Sequence, residues 1–267
     1  MAILVVGFDG YDDLWEDFFS LLSKYWSDCP YKIYLVNNER KCNYDGVTVI
    51  NVGENAEWSL KVSTALEHIK EKYICLLLED LYFGEKVENG AITKILNYME
   101  KNKTIFYKLK SFSKIKTKKV EDYGFLYEIP DTLRYGISLQ AAIWHREFLK
   151  EKVGKGNYNA WKFECDRIAE EQNGNGVALQ GCVYDNRNIL QLQHGVVQGE
   201  YLPRTLKYFK EKGYELNQSR RQAMSEKQYF IYRCKLLSTN VLPARVKIGL
   251  KKTLNFFGIK FITDKHA

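Results

Sequence analysis

The sequence predicts an α/β protein: a mostly parallel, Rossmann-type central sheet flanked by helices, with a helical, basic C-terminal extension. Three observations predict it. Short apolar runs that stop at turn residues alternate with longer segments whose apolar residues recur every three or four positions. In the first third these follow the order β-α-β-β-α-β, the pattern of parallel strands with helical connections. The fourth run, Ile74–Leu78, is apolar throughout, as a strand covered on both faces must be.

The elements follow in chain order. Ala2–Val6 ends at Gly7 and reads as a buried strand. Asp12 and Asp13 open a helix, where acids suit the positive end of the dipole, and Leu14, Phe18, Leu21 and Tyr25 form its apolar face. Tyr31–Val36, closed by Asn37 and Asn38, and Val47–Val52 are strands two and three. Asn55 is placed to cap a helix with Trp58, Val62, Ala65, Ile69 and Tyr73 on one face. Further on, Val87–Met99, Phe148–Val153, Trp161–Glu171, Leu202–Lys212 and Arg220–Leu237 read as helices. Thr104–Lys110, Tyr123–Ile129 and Ser138–Trp144 read as strands. Val177–Tyr184 and Ile189–His194 bracket Asp185-Asn186, a hairpin-turn pair. A chain of 267 residues buries roughly 70–75% of its unfolded surface, so one large domain suffices. The expected division is a nucleotide-binding unit over residues 1–215 and an extension over 216–267.

Composition narrows the function classes. Hydrophobic residues at 45% and charged residues at 27% exclude disordered and disulfide-scaffold chains. The net charge of +7 favours anionic partners. Six cysteines without a CxxC pair argue against structural zinc and for a reducing compartment. No apolar run approaches 18 residues, and the N-terminus reads as a strand rather than a signal peptide. Two basic segments carry two readings each. Lys101 to Lys119 is either a solvated sheet edge and loop or a phosphate or membrane contact. After Pro243, Val246, Leu250, Leu254 and Phe257 share a face beside Arg245, Lys247, Lys251 and Lys252. That helix either docks on the core or lies on an anionic membrane surface.

The sharpest local feature is Glu79-Asp80, directly after the buried strand Ile74–Leu78. Open α/β sheets bind ligands outside the carboxyl ends of their strands. A carboxylate there suits a hard divalent cation that neutralises a diphosphate, Mn²⁺ or Mg²⁺. The bland alternative is a pair of loop acids capping the next element.

Several segments carry a resemblance in order: Phe8-Asp9-Gly10-Tyr11 with Asp13-Leu14-Trp15, Lys24-Tyr25-Trp26, Tyr34-Leu35-Val36, Trp58-Ser59 with Ala65-Leu66, Leu78-Glu79-Asp80 with Tyr82-Phe83, Gln140, Ala142 and Trp144, then Ala160-Trp161 and Phe163-Glu164, and Gly195 with Gly199. Together they resemble bacterial GT-A-type glycosyltransferases of capsule, O-antigen and related surface-polysaccharide clusters, over roughly residues 1–215. The resemblance implies a GT-A-like fold, a nucleotide-sugar donor, UDP-linked, and a glycan or lipid-linked glycan acceptor at the inner face of the cytoplasmic membrane. It implies donor contacts from Phe8, Asp9, Tyr11, Ser59, Glu79 and Asp80, and acceptor contacts from Trp144 and Trp161. Glu79-Asp80 departs from the Asp-x-Asp of such enzymes, which leaves metal dependence open.

Glycosyl transfer with inversion needs a base for the acceptor hydroxyl. Glu164 follows Trp161 by three positions, hence on one helix face, and is the first candidate, with Asp166 second. His194 is a candidate second metal ligand beside Asp80. Lys108, Arg134 and Arg204 are candidates for the diphosphate. The alternative function is a non-catalytic glycan- or nucleic-acid-binding protein. Nucleic acid is not the expected partner, because the basic residues are dispersed and the acid pair would spoil a groove for it. Phosphate-loop and GxGxxG signatures are absent, which excludes the corresponding nucleotide enzymes.

Overall fold

A computed structural model describes residues 1–109 and 117–241, with side chains described to residue 234. In chain order the elements are β1 (Ala2–Val6), a 3-10 segment (Asp9–Leu14), α1 (Trp15–Tyr25), β2 (Lys32–Asn37), β3 (Val47–Asn51), α2 (Trp58–His68), β4 (Tyr73–Leu78), β5 (Leu81–Phe83) and α3 (Asn89–Lys101). Then come β6 (Phe106–Lys108), β7 (Leu126–Pro130), β8 (Ala142–His145), α4 (Arg146–Val153), α5 (Ala160–Gln172), β9 (Ala178–Asp185) and β10 (Leu192–His194). β11 (Val196–Val197), β12 (Glu200–Tyr201), α6 (Pro203–Glu211) and α7 (Glu226–Val241) complete the described chain.

Eight strands form the central sheet in the order β3-β2-β1-β4-β8-β6-β9-β7. Only β8 and β7 run against the others. The expected α/β class with a mostly parallel sheet is therefore what is found. β1 and β4 are buried along nearly their whole length because helices cover both faces of the sheet. On one face α1 and α3 pack through Trp15, Phe18, Leu22, Ile92, Ile95 and Met99. On the other, α2, α4 and α5 pack through Val62, Ala65, Leu149 and Phe163. Among the described residues no helix is long and apolar enough to cross a membrane. All six cysteines are free.

Four expectations are corrected. Asp185-Asn186 does not turn a hairpin: β9 lies between β6 and β7, and β10 pairs with β5, Leu192 opposite Phe83 and His194 opposite Leu81. Turn propensity is local, whereas the Asp185 carboxylate is drawn inward by the Tyr107 hydroxyl (2.7 Å) and by Arg187 (2.7 Å). Asn55 does not cap α2; Glu57 precedes the helix, without a side-chain cap. The helix stops at His68, so Tyr73 begins β4. The final helix starts at Glu226 rather than Arg220, since residues 214–224 lie extended on the core. There Asp17 accepts from the Tyr214 hydroxyl and the Asn217 N–H, and the Met224 N–H bonds to the Tyr201 carbonyl. Lys110, Lys114 and Lys116 of the basic stretch, and the amphipathic segment after Pro243, fall outside the described residues.

Candidate functional site

β1 and β4 are neighbours, but the chain leaves β1 toward β2 and β3 on one side, while the strands beyond β4 lie on the other. Such a switch point leaves a crevice at the carboxyl ends of the strands. A cavity of about 300 Å³ opens there, lined by Gly7, Phe8, Tyr11, Lys61, Glu79 and Asp80, with Ala160 at the start of α5.

The two acids after β4 have different surroundings. Glu79 is 6% exposed, and its Oε1 accepts the Phe8 N–H at 3.1 Å, tying the β1 loop to β4. Burial, helped by the neighbouring Asp80 charge, pushes the Glu79 carboxyl up to about 8. Asp80 Oδ2 accepts from His194 Nε2 at 3.1 Å, a contact spanning 114 positions of sequence. Its Oδ1 is buried with no hydrogen-bond partner among the described residues. The join is tight: the Gly195 N–H donates to the Asp80 carbonyl at 2.7 Å, and a Cβ at Gly195 would lie 2.5 Å from the Tyr82 ring. On α7, burial raises the pKa of Tyr232, with the Tyr229 and Asp80 charges adding to it.

Lys61 lies beneath the β1 loop. Its Nζ donates to the Gly7 carbonyl (2.7 Å) and to Asn38 Oδ1 (3.2 Å), and burial pulls its pKa down. Sequence reasoning missed it, although Lys61 is three positions after Trp58 and so shares the buried face of α2. Arg221 was also missed: it forks onto Asp13 at 2.7 and 3.0 Å and lays its guanidinium 3.9 Å from the centre of the Tyr11 ring.

The remaining residues fall into two sets. Phe8, Tyr11, Glu79 and Asp80 line the crevice, and His194 reaches Asp80. Asp9 and Ser59 are turned onto backbone. Asp9 accepts the N–H groups of Asn38, Glu39 and Arg40, which shapes the loop after β2. Ser59 Oγ accepts the Tyr158 N–H and donates to the Gly156 carbonyl. On α5, Glu164 Oε1 accepts the Leu139 N–H at 2.8 Å, Oε2 is buried without a hydrogen-bond partner among the described residues, and burial raises the carboxyl pKa. Trp161 is partly exposed at the start of the same helix. Asp166 is half-buried and paired with Lys162 at 2.9 Å.

Two assignments are corrected. Trp144 offers no surface to a sugar: it is fully buried in β8, with Phe106, Phe148 and Phe163 around its ring. Lys108 does not face a diphosphate: it is buried, donating to the Tyr135 carbonyl (2.5 Å) and Ser138 Oγ (3.0 Å), with its pKa drawn down to about 8 by burial.

For a divalent cation, no group of three or more His, Cys, Asp or Glu side chains converges among the described residues. His194 Nε2 lies 3.1 Å from Asp80 Oδ2. One carboxylate oxygen, Asp80 Oδ1, is buried without a hydrogen-bond partner among the described residues. That donor set fits an ion held by one carboxylate together with phosphate oxygens, not a cage made by the protein alone.

The fold and crevice together define an α/β protein with a cavity at the switch point of its sheet. No family model matches the chain, and no curated protein matches it. Among solved structures it is similar to residues 1–349 of S. aureus TarS in complex with UDP-GlcNAc, at 13% identity over 96% of this chain and 73% of that one, with a TM-score of 0.40. The same TarS fragment without ligand is matched over 70% of this chain and 60% of its own length, TM-score 0.40. An active-site mutant of LgtC (10% identity, 91% and 85% coverage, TM-score 0.37) and the bifunctional IspDF of Campylobacter jejuni (12%, 67% and 52%, 0.37) are also similar. At those scores no argument rests on the likeness, and the functional reading rests on the site.

Proposed function

We propose that the chain is a nucleotide-sugar-dependent glycosyltransferase of the hexosyl type. It would move a sugar from a UDP-linked donor to a bacterial surface glycan or lipid-linked oligosaccharide, in capsule or O-antigen synthesis. One observation carries the reading. A buried, unpartnered carboxylate oxygen, Asp80 Oδ1, stands in the crevice at the β1/β4 switch point, steadied by His194 through Oδ2.

Phe8 and Tyr11 supply aromatic walls for the base, while Lys61, Asp9 and Glu79 hold their loop in shape. Asp80 Oδ1 would hold Mn²⁺ or Mg²⁺, which supplies charge neutralisation on the leaving diphosphate. Glu164 is the base: its buried Oε2, without a hydrogen-bond partner among the described residues, takes the acceptor hydroxyl proton as the hydroxyl oxygen bonds to the anomeric carbon and the diphosphate leaves with the electron pair of the broken bond. Burial keeps Glu164 basic enough for the task by raising its pKa. Trp161, three positions earlier on α5, is the acceptor wall. The basic pattern after Pro243 suits peripheral contact with an anionic membrane at its cytoplasmic face.

The test is calorimetric titration of UDP, GDP, CMP and dTDP, with and without Mn²⁺, on the parent chain and Asp80→Asn. Micromolar binding of one nucleotide, strengthened by the ion and losing that strengthening in Asp80→Asn, is the expected result. Metal-independent binding removes the cation from the reading. A folded sample that binds no nucleotide overturns the transferase.

A further inference from the structure

We propose a second ligand site: the groove between α3 and residues 123–126 binds a polyanionic saccharide. The groove is a cavity of about 660 Å³ on the α1/α3 face of the sheet, and it shares no lining residue with the β1/β4 crevice. The inference therefore goes beyond the transferase reading and does not depend on it.

The cations are arranged, not merely abundant. Asp185 is completely buried at the end of β9 and accepts from the Tyr107 hydroxyl (2.7 Å) and from Arg187 Nε (2.9 Å) and Nη2 (2.7 Å). That fork fixes a half-exposed guanidinium, which lies 3.4 Å from the centre of the Phe125 ring and lines the groove. Its Nη1 has no hydrogen-bond partner among the described residues, so two N–H donors remain for a ligand anion. Across the groove, α3 presents Lys94 and Lys101, both exposed and neither ion-paired with a described acid. Seven residues of helix separate them, about 10 Å along the axis, so they face the groove two turns apart. Glu88 is the one acid in the lining, and Lys86 lies 3.5 Å from it. Three cations spaced along a groove suit a ligand with repeated negative charge.

The lining chooses between polyanions. Tyr98, Tyr107, Tyr123 and Phe125 meet edge-to-face, at 77° for Tyr98 with Tyr123, 75° for Tyr98 with Tyr107 and 82° for Tyr123 with Phe125. Single-stranded nucleic acid needs ring faces on which successive bases stack. Rings at right angles do not provide that row, and Arg187 covers one face of Phe125. They do provide apolar patches for the C–H faces of sugar rings, with phenol groups among them for the hydroxyls.

The experiment titrates the full chain with oligogalacturonate, a sulfated and a phosphorylated oligosaccharide, maltohexaose and oligo(U). It is repeated on Lys94→Glu/Lys101→Glu, on Arg187→Lys and on Asp80→Asn. The expected result is binding of at least one charged saccharide, tenfold or more over maltohexaose, with at least a tenfold loss in the exposed double variant. Arg187→Lys, which keeps the charge but loses the fork onto Asp185, should also weaken it and lower the unfolding temperature, while Asp80→Asn leaves binding intact. The ligand that binds best tells carboxylate from phosphate or sulfate. Absence of binding by every charged saccharide overturns the site, as does binding indifferent to both groove variants, or oligo(U) binding tighter than the saccharides.

Discussion

Two regions of the molecule bury a lysine near carboxylates, and they use it differently. Beneath the β1 loop, Lys61 bonds only neutral acceptors, the Gly7 carbonyl and Asn38 Oδ1. At the end of β6, Lys108 takes the carbonyl of Tyr135 while Glu171 takes the N–H groups of Tyr135 and Gly136, so one short stretch of backbone is gripped from both sides. Each region also leaves one carboxylate oxygen unpartnered, Asp80 Oδ1 in the first and Glu164 Oε2 near the second. The difference teaches which buried lysine holds a loop. Lys108 faces two acids of α5, Glu164 and Glu171, and Lys61 faces Glu79, and burial biases all three carboxyls toward the neutral form. What sets Lys108 apart is the stretch 135–138, which it holds together with Glu171.

One expected effect follows from those contacts. Lys108→Met removes the hydrogen bonds to Tyr135 and Ser138 and leaves those acceptors without their buried donor. Leaving a buried acceptor unsatisfied costs about 1–3 kcal/mol. Urea unfolding should show a loss of that size at neutral pH. A loss below about 1 kcal/mol, the range of an exposed pair, would remove the distinction between the two lysines.

The fold was legible because β1 and β4 are runs of unbroken apolar character, β2 is nearly so, and the intervening helices carry clear faces; β1 matches its expected bounds and β2–β4 differ from theirs by a residue at one or both ends. Glu79-Asp80 was legible as a feature because it follows the buried strand directly. What each acid touches was not. His194 is 114 positions from Asp80, and the pairing of β10 with β5 that joins them leaves only a three-residue apolar trace. Trp144 was misjudged because an indole in a strand reads equally as wall or core, and only the ring contacts of Phe106, Phe148 and Phe163 decide it. Lys61 and Lys108 were hidden by their residue type, since a lysine is rarely buried unless the fold supplies acceptors from distant loops.

A second effect separates the crevice by pH. The folded Glu79 carboxyl titrates at about 8 against an ordinary 4.5, so between those values the folded chain keeps a proton that the unfolded chain has lost. Stability tied to Glu79 is therefore complete below pH 4.5 and falls as pH rises, by about 1.4 kcal/mol per unit, levelling off above 8. Glu79→Gln removes that slope. The difference in unfolding free energy between the parent and Glu79→Gln, followed from pH 5 to pH 8, should drift steadily in favour of the variant. A flat difference would mean that Glu79 is already charged at neutral pH and balanced by Lys61.

The smallest effect tests which acid of α5 is the base. Asp166 is half-buried and paired with Lys162 one turn away, an arrangement worth about 0.3–0.5 kcal/mol. Asp166→Asn should therefore shift stability by less than that amount and leave sugar transfer within about twofold, since the pair adds no more than a surface contact. Glu164→Gln should instead abolish transfer while nucleotide affinity is retained, because the Leu139 N–H keeps its acceptor and only the proton-taking oxygen is lost. Steady-state transfer rates and nucleotide titrations on the two variants decide between the acids. Loss of turnover in Asp166→Asn with normal rates in Glu164→Gln would move the base to the outer face of α5, and Glu164 would then serve only to anchor Leu139.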